Sequence, residues 1–307
     1  MSIGIGLGIA GFPFSSPGAF LSWIDLCESR GIDSVWISER LVSRSLAIEP
    51  IAAFGVIAGR TRRLKFGMNA IVLPLRDPLV LAKECATLDF LSEGRLLPVF
   101  GVGSELAPEF RATNTPFEGR GARADEMLRL LARLWSEEDV TFEGKHFRYS
   151  GVTISPRPKQ QPLPIWIGGS SDAAIRRTAR YGTGWLGGIQ SPSQVAPVVT
   201  KIRAATAESG RTIDDDHYGA GFPFRFGDPG EPIVQKTAEG LARLGGGLDP
   251  TAYLAVGDAT TISARIDEYV AAGISKFVLR PIAGSDAEMN EQTARLADEV
   301  IPHFAGR

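Results

Sequence analysis

The sequence predicts a single-domain α/β (β/α)8 barrel with a hairpin inserted before the fifth strand. Eight short, mostly apolar runs alternate with helical patterns, the signature of a parallel sheet covered by helices. Eight such units favour a closed barrel over an open doubly wound sheet. No break in composition divides the 307 residues, and α/β barrels of about this length form one domain, so residues 1–307 are expected to be one unit.

The elements follow in order. Residues 3–9, Ile3-Gly4-Ile5-Gly6-Leu7-Gly8-Ile9, alternate at period two as a strand does, with glycine on one face. The helical pattern at 17–30 ends at Gly31, which leads into the second strand at 33–37. A helix at 48–60 precedes the third strand at 64–69. Asp77-Pro78 supplies an N-cap and a first-position proline for the helix at 77–92, and Gly94 ends it. The fourth strand, 97–102, contains Pro98; a proline has no ladder donor, so it belongs among the strand's first residues. After a helix at 118–136, Val140, Phe142, Phe147 and Tyr149 surround Glu143-Gly144-Lys145, as in a hairpin within 139–158. The fifth strand, 164–168, runs into Ser170-Ser171-Asp172, a cap for the helix at 171–181. Strands at 183–187, 218–226 and 275–280 alternate with helices at 192–209, 231–245 and 260–272, and a final helix is expected at 285–303.

Composition excludes several classes of function. Lys and Arg number 33 against 35 Asp and Glu, a net charge of −2, which gives no field for a phosphate polymer and argues against a nucleic-acid partner. Hydrophobic residues at 44% and charged residues at 22% are ordinary for a globular chain and exclude disorder. The first charged side chain is Asp25, yet residues 1–24 have no basic start, and glycines and prolines interrupt them, so they do not read as a signal peptide. No run approaches the roughly 18 apolar residues of a membrane span. Cys27 and Cys85 lie in helical patterns and read as buried, reduced thiols, so the expectation is a cytoplasmic protein with no membrane partner.

Metal binding is not expected. His146, His217 and His303 are not spaced as ligands, and Asp214-Asp215-Asp216-His217 reads as a solvated turn. Barrel enzymes place their chemistry where strands end. After the fifth strand, Gly168-Gly169-Ser170-Ser171 lets backbone N–H groups and a helix N-terminus approach a phosphate; an ordinary capped glycine turn would look the same. Glu39 and Glu105 follow the second and fourth strands and either face one cavity or are surface groups in ion pairs, Glu39 with Arg40.

The stretch GRLLPVFGVGSELAPEF and the block from Arg95 to Trp185 resemble the bacterial luciferase-like oxidoreductases that use a flavin or deazaflavin, and the similarity extends over essentially the whole chain. Within that family the pattern is most similar to the deazaflavin (coenzyme F420) branch. The resemblance implies the barrel, the insertion before the fifth strand, and an isoalloxazine-like ring at the strand ends. It implies a non-proline cis peptide at Asn69-Ala70, a phosphate loop at Gly168, Gly169, Ser170 and Ser171, and coenzyme contacts from Gly103 and Ser104. The family's Asp/Glu-His pair after the second strand is here Glu39-Arg40. An arginine does not accept a proton at neutral pH, so Arg40 is left to polarise or hold an anion. Some deazaflavin relatives carry a glutamate near position 105 as proton donor, which makes Glu105 the first acid/base candidate and Glu39 the second. Gly182-Thr183-Gly184-Trp185 departs from the family's Gly-Asp-Gly-Trp.

The expected activity is hydride transfer between coenzyme F420 and a small organic substrate. The alternative is an FMN-dependent monooxygenase fed by a separate flavin reductase, and a barrel that holds flavin without turnover is a third class. A homodimer is expected, mostly from the resemblance, with the apolar helices at 48–60 and 77–92 needing cover.

Overall fold

The computed structural model describes residues 2–104, 107–244 and 249–306. Fourteen strands occur among them: β1 (Gly4–Ile9), β2 (Ser34–Ile37), β3 (Lys65–Met68), β4 (Ile71–Val72), β5 (Leu96–Leu97), β6 (Val99–Gly101), β7 (Val140–Glu143), β8 (Arg148–Val152), β9 (Trp166–Gly168), β10 (Gly184–Leu186), β11 (Tyr218–Ala220), β12 (Pro223–Phe226), β13 (Ala255–Gly257) and β14 (Lys276–Pro281). Twelve belong to one curled parallel sheet, ordered β4-β6-β9-β10-β11-β14-β1-β2-β3-β5, with β12 and β13 joined to β14 off that path. The two ends of this order belong to the same two chain segments. β3 pairs with β5 through Phe66↔Leu96, and further along the same segments β4 pairs with β6 through Ile71↔Phe100. The antiparallel pair β7–β8 lies outside the large sheet and ahead of β9 in the chain.

Helices alternate with the strands: α1 (Pro17–Ser29), α2 (Pro50–Arg60), α3 (Pro78–Leu91), α4 (Glu109–Ala112), α5 (Arg120–Ser136), α6 (Asp172–Tyr181), α7 (Pro192–Glu208), α8 (Pro232–Leu244), α9 (Ala259–Ala271), α10 (Asp286–Arg295) and α11 (Ile301–Phe304). Local chemistry sets many of their starts. The Asp77 carboxylate accepts from the Leu79 and Val80 N–H groups, and the Ser171 hydroxyl accepts from Ala174 N–H. Glu49 caps α2 through Ala52 N–H at 2.7 Å, so that helix begins at Pro50 rather than at 48. No helix among the described residues is long and apolar enough to cross a membrane.

Four sequence expectations need correction. Pro98 does not open its strand but divides it, between β5 paired to β3 and β6 paired to β9, which is where a missing N–H is tolerated. The run 218–226 is two strands, because the chain at Gly221 passes so close to β14 that a Cβ there would lie 1.9 Å from the Val278 carbonyl oxygen. β13, only three residues long, was not predicted. The last helix is not uniform: a π turn over Leu296–Val300 separates α10 from α11, next to Pro302, which cannot donate to the carbonyl four residues back.

The core has two main parts. The larger lies between sheet and helices, and the two free cysteines, Cys27 and Cys85, are buried in it. A second cluster, Trp36, Val99, Trp166, Leu186 and Val278, comes from five different strands and fills the concave side of the sheet. Its tryptophans explain part of the glycine content. A Cβ on Gly67 would lie 2.4 Å from the Trp36 ring, and one on Gly184 would lie 2.4 Å from that of Trp166. At the strands' N-terminal ends Asp33 is paired with Lys276 and, at 3.2 Å, with Lys65. Although burial opposes ionisation, the two ammonium groups hold the Asp33 carboxyl well below the usual carboxylate range.

Candidate functional site

A cavity of about 660 Å3 opens where the strands end. Asn69 and Ala70 reach it from the break between β3 and β4, and the peptide joining them is cis. Gly103 reaches it from the segment after β6, and Gly168, Gly169, Ser170 and Ser171 from the segment joining β9 to α6. Seven of the eight residues predicted to hold a coenzyme therefore line one space. The eighth, Ser104, is exposed at its edge, with its carbonyl accepting from Ala107 N–H at 3.1 Å. Glu105 lies outside the described residues.

The segment after β9 is held from two sides. Trp185 Nε1 donates to the Gly169 carbonyl at 2.7 Å, and the Ser170 hydroxyl donates to Gln190 Oε1. Gly169 has φ +101°, where side chains with a Cβ are strained, while the space around it stays open. The N-terminus of α6, ten residues long, follows directly, and unsatisfied N–H groups at a helix start favour an anion.

Three arginines complete the lining, and the sequence reading missed all of them. Arg177 crosses from α6 to Asp125 at 2.6 Å and to the Gly121 carbonyl at 3.3 Å. Arg120 stacks on Phe117, 3.7 Å from the ring centroid, and its buried Nε has no hydrogen-bond partner among the described residues. Arg280, the last residue but one of β14, lines the cavity as well. The available signal was a second charged residue after the apolar run Phe277-Val278-Leu279, at the end of the strand away from Lys276.

Glu39 and Arg40 do not line the cavity. The Glu39 side chain is 2% exposed and is held by the Val72 N–H at 2.7 Å and by Arg76, which also reaches Glu49 at 2.7 Å. Its ion pair is thus with Arg76, not Arg40, which is exposed. Burial raises the Glu39 carboxyl above its ordinary value against the opposing pull of Arg76 and the Val72 N–H. Glu109, the first residue of α4, is buried, and its Oε2 has no hydrogen-bond partner among the described residues.

No histidine among the described residues lines the cavity. Asp214, Asp216 and His217 offer ligand atoms within 4.8 Å of one another, but they precede β11, at the other end of the sheet, and both aspartates are exposed.

Comparison with known proteins adds the remaining findings. The sequence model of a family described as luciferase-like monooxygenase matches residues 10–245. The chain spans about half the length of the first curated relatives it matches. One is an uncharacterized protein of Mycobacterium tuberculosis, 31% identical over 166 residues, which are 54% of this chain and 56% of that one. An F420-dependent glucose-6-phosphate dehydrogenase of Amycolatopsis mediterranei is 27% identical over 308 aligned residues, 90% of this chain and 91% of the relative. Among solved structures, the monooxygenase RslO1 of Streptomyces bottropensis superposes with a TM-score of 0.86 at 25% identity, covering 99% of this chain and 100% of that one.

Proposed function

The chain belongs to the luciferase-like monooxygenase family and is an oxidoreductase of that kind, and from this we propose that it transfers a hydride between coenzyme F420 and a small organic substrate, as one closed (β/α)8 domain. The observation carrying this reading is the convergence of Asn69-Ala70, Gly103 and Gly168–Ser171 on one cavity that also contains an arginine nitrogen without a partner. The residues fit such a coenzyme. A phosphate-bearing tail needs N–H donors, a helix N-terminus and a cation, and the segment Gly168–Ser171, α6 and Arg120 supply them together. A flat ring needs a wall with little side chain, and Ala70, Gly101 and Gly168 supply one.

When bound, the deazaflavin supplies the two-electron chemistry. The chain's own residues bind, orient and exclude water. Trp185 and Gln190 hold the anion-binding segment in place, and Val99 and Leu186 make the cavity's apolar floor. Glu105 moves the proton that accompanies the reaction, on sequence grounds. Glu39 fixes the backbone at Val72 beside the Asn69-Ala70 wall.

The second reading is an FMN monooxygenase supplied with reduced flavin by a separate reductase. The similarity to RslO1 favours it, and the segment that suits one coenzyme's phosphate suits the other's. Titration with F420 and with FMN, followed by mass spectrometry of the coenzyme that co-purifies, separates the two. Saturable binding of F420 without FMN is the expected result. FMN binding with oxygen uptake on supply of reduced flavin would replace it with the second reading.

We also propose a homodimer formed through α2 and α3. Val56 on α2 and Val80, Phe90 and Leu91 on α3 are large apolar side chains facing outward, Leu91 being 68% exposed.

A further inference from the structure

Arg280 is partly buried, and among the described residues it differs from the four buried cations in how its charge is met. Arg95 donates to the carbonyls of Ala58, Thr61, Leu64 and Ser92. Arg225 is paired with Glu231 and Glu288, Arg177 with Asp125, and Lys276 with Asp33. Among the described residues the Arg280 guanidinium has no such partner; only its backbone N–H is bonded, to the Phe222 carbonyl at 3.0 Å. Burial alone pushes its pKa down, and no carboxylate pushes it back. A guanidinium stays charged even so, and a partly buried one that faces a cavity without a carboxylate partner is free to pair with an anion.

The surroundings of Arg280 indicate what that would be. Next to the main cavity lies a second hollow of about 360 Å3 between α8 and the strands β12 and β14, and Arg280 and Ile189 line both spaces. The second hollow is walled by Pro223, Ile233, Thr237, Leu241, Pro281 and Ile282. The Thr237 hydroxyl already donates to the Ile233 carbonyl at 2.8 Å, the other side chains are apolar, and the two prolines have no N–H to offer. A phosphate is usually cradled by several N–H donors, as the segment after β9 could do. A single guanidinium fork instead matches the two oxygens of a carboxylate.

We propose that Arg280 is the substrate-recognition residue, and that the substrate is a small apolar carboxylic acid whose carboxylate pairs with Arg280 while its body fills the hollow beside α8. This rests on assigning the main cavity to the coenzyme, which places the hollow next to the reacting ring.

The test is calorimetric titration of the coenzyme-saturated protein with hexanoate and cyclohexanecarboxylate, each against its uncharged amide. The acids are expected to bind about tenfold or more tightly than the amides, as a charge-assisted pair allows. Arg280→Gln should abolish that preference with coenzyme affinity unchanged, and Arg280→Lys should keep part of it. If the glutamine variant does not fold, the lysine variant carries the test through its reduced acid preference. Equal binding of acid and amide, no saturable binding of either acid, or an undiminished preference in both variants overturns the proposal. So does a loss of coenzyme affinity in Arg280→Gln, which would assign the arginine to the coenzyme. If neither F420 nor FMN binds the unmodified protein, the coenzyme assignment has failed, and the same titration without coenzyme still decides the role of Arg280.

Discussion

Arg76 stands between two carboxylates, Glu39 and Glu49, and that placement decides what Glu39 can do. A carboxylate held by a guanidinium and a backbone N–H is spoken for, which leaves Glu105 as the first candidate for moving a proton. A general acid or base contributes about 100- to 10,000-fold in rate, so Glu105→Gln is expected to lower turnover by that order and leave coenzyme affinity nearly unchanged in a fluorescence titration. Full turnover in this variant would move the proton chemistry to water, to the substrate or to Glu109. At this scale the sequence was legible only in part. It placed Glu39 at a strand end, but its partner Arg76 lies 37 residues away and no local pattern pairs them. Arg280 was hidden for a related reason: what distinguishes it is the carboxylate it lacks, which only the packed structure reveals.

Among elements, the segment Gly168–Ser171 connects local sequence to the site. Its cap was readable because Ser171 bonds an N–H only three residues ahead. The Gly169 dihedral gives a sharper experiment than its surroundings do, since a Cβ there would meet nothing nearer than Ala174 at 3.6 Å. The strain of Gly169→Val comes from a φ of +101°, a conformation costing of order 1–3 kcal/mol for such a residue, and relief would turn the N–H groups away from the cavity. Coenzyme affinity is therefore expected to fall at least about tenfold, checked by titration beside a melting curve showing an intact fold. Elements shaped by distant neighbours were not readable. Nothing in YGAGFPFRF announces that the Val278 carbonyl presses on Gly221, and so one expected strand became two.

For the whole molecule, the alternation of strand and helix was the easiest feature to read, because apolar periodicity is local and repeated along the chain. Which outer surfaces are covered by a second copy is not local. On α3, Val80, Thr87 and Leu91 recur at helical spacing on one side, Val80 and Leu91 exposed, and α2 presents Gly55, Val56 and Gly59 beside them. Leu91→Glu would place a charge in the centre of such an interface. Light scattering at micromolar concentration is expected to show a dimer for the unmodified protein and a monomer for the variant. A monomer in both cases would remove the dimer.

The pairing of β1 with β14 has a consequence in time. Gly4 is registered with Lys276, and the ion pair of Asp33 with Lys276 ties the same ends of the sheet. At the ordinary pace of synthesis, ~5–20 residues per second, the first strand emerges from the ribosome roughly 15–50 s before its last neighbour exists. Through that interval one edge of β1 has no native strand to bond, the circumstance in which strands pair with the wrong chain. Glycine at every second position makes β1 a poor template for such errors, since a glycine face offers no side chains to interdigitate. The residues that leave room inside the finished sheet thus also lower the hazard to the nascent chain while it waits to close.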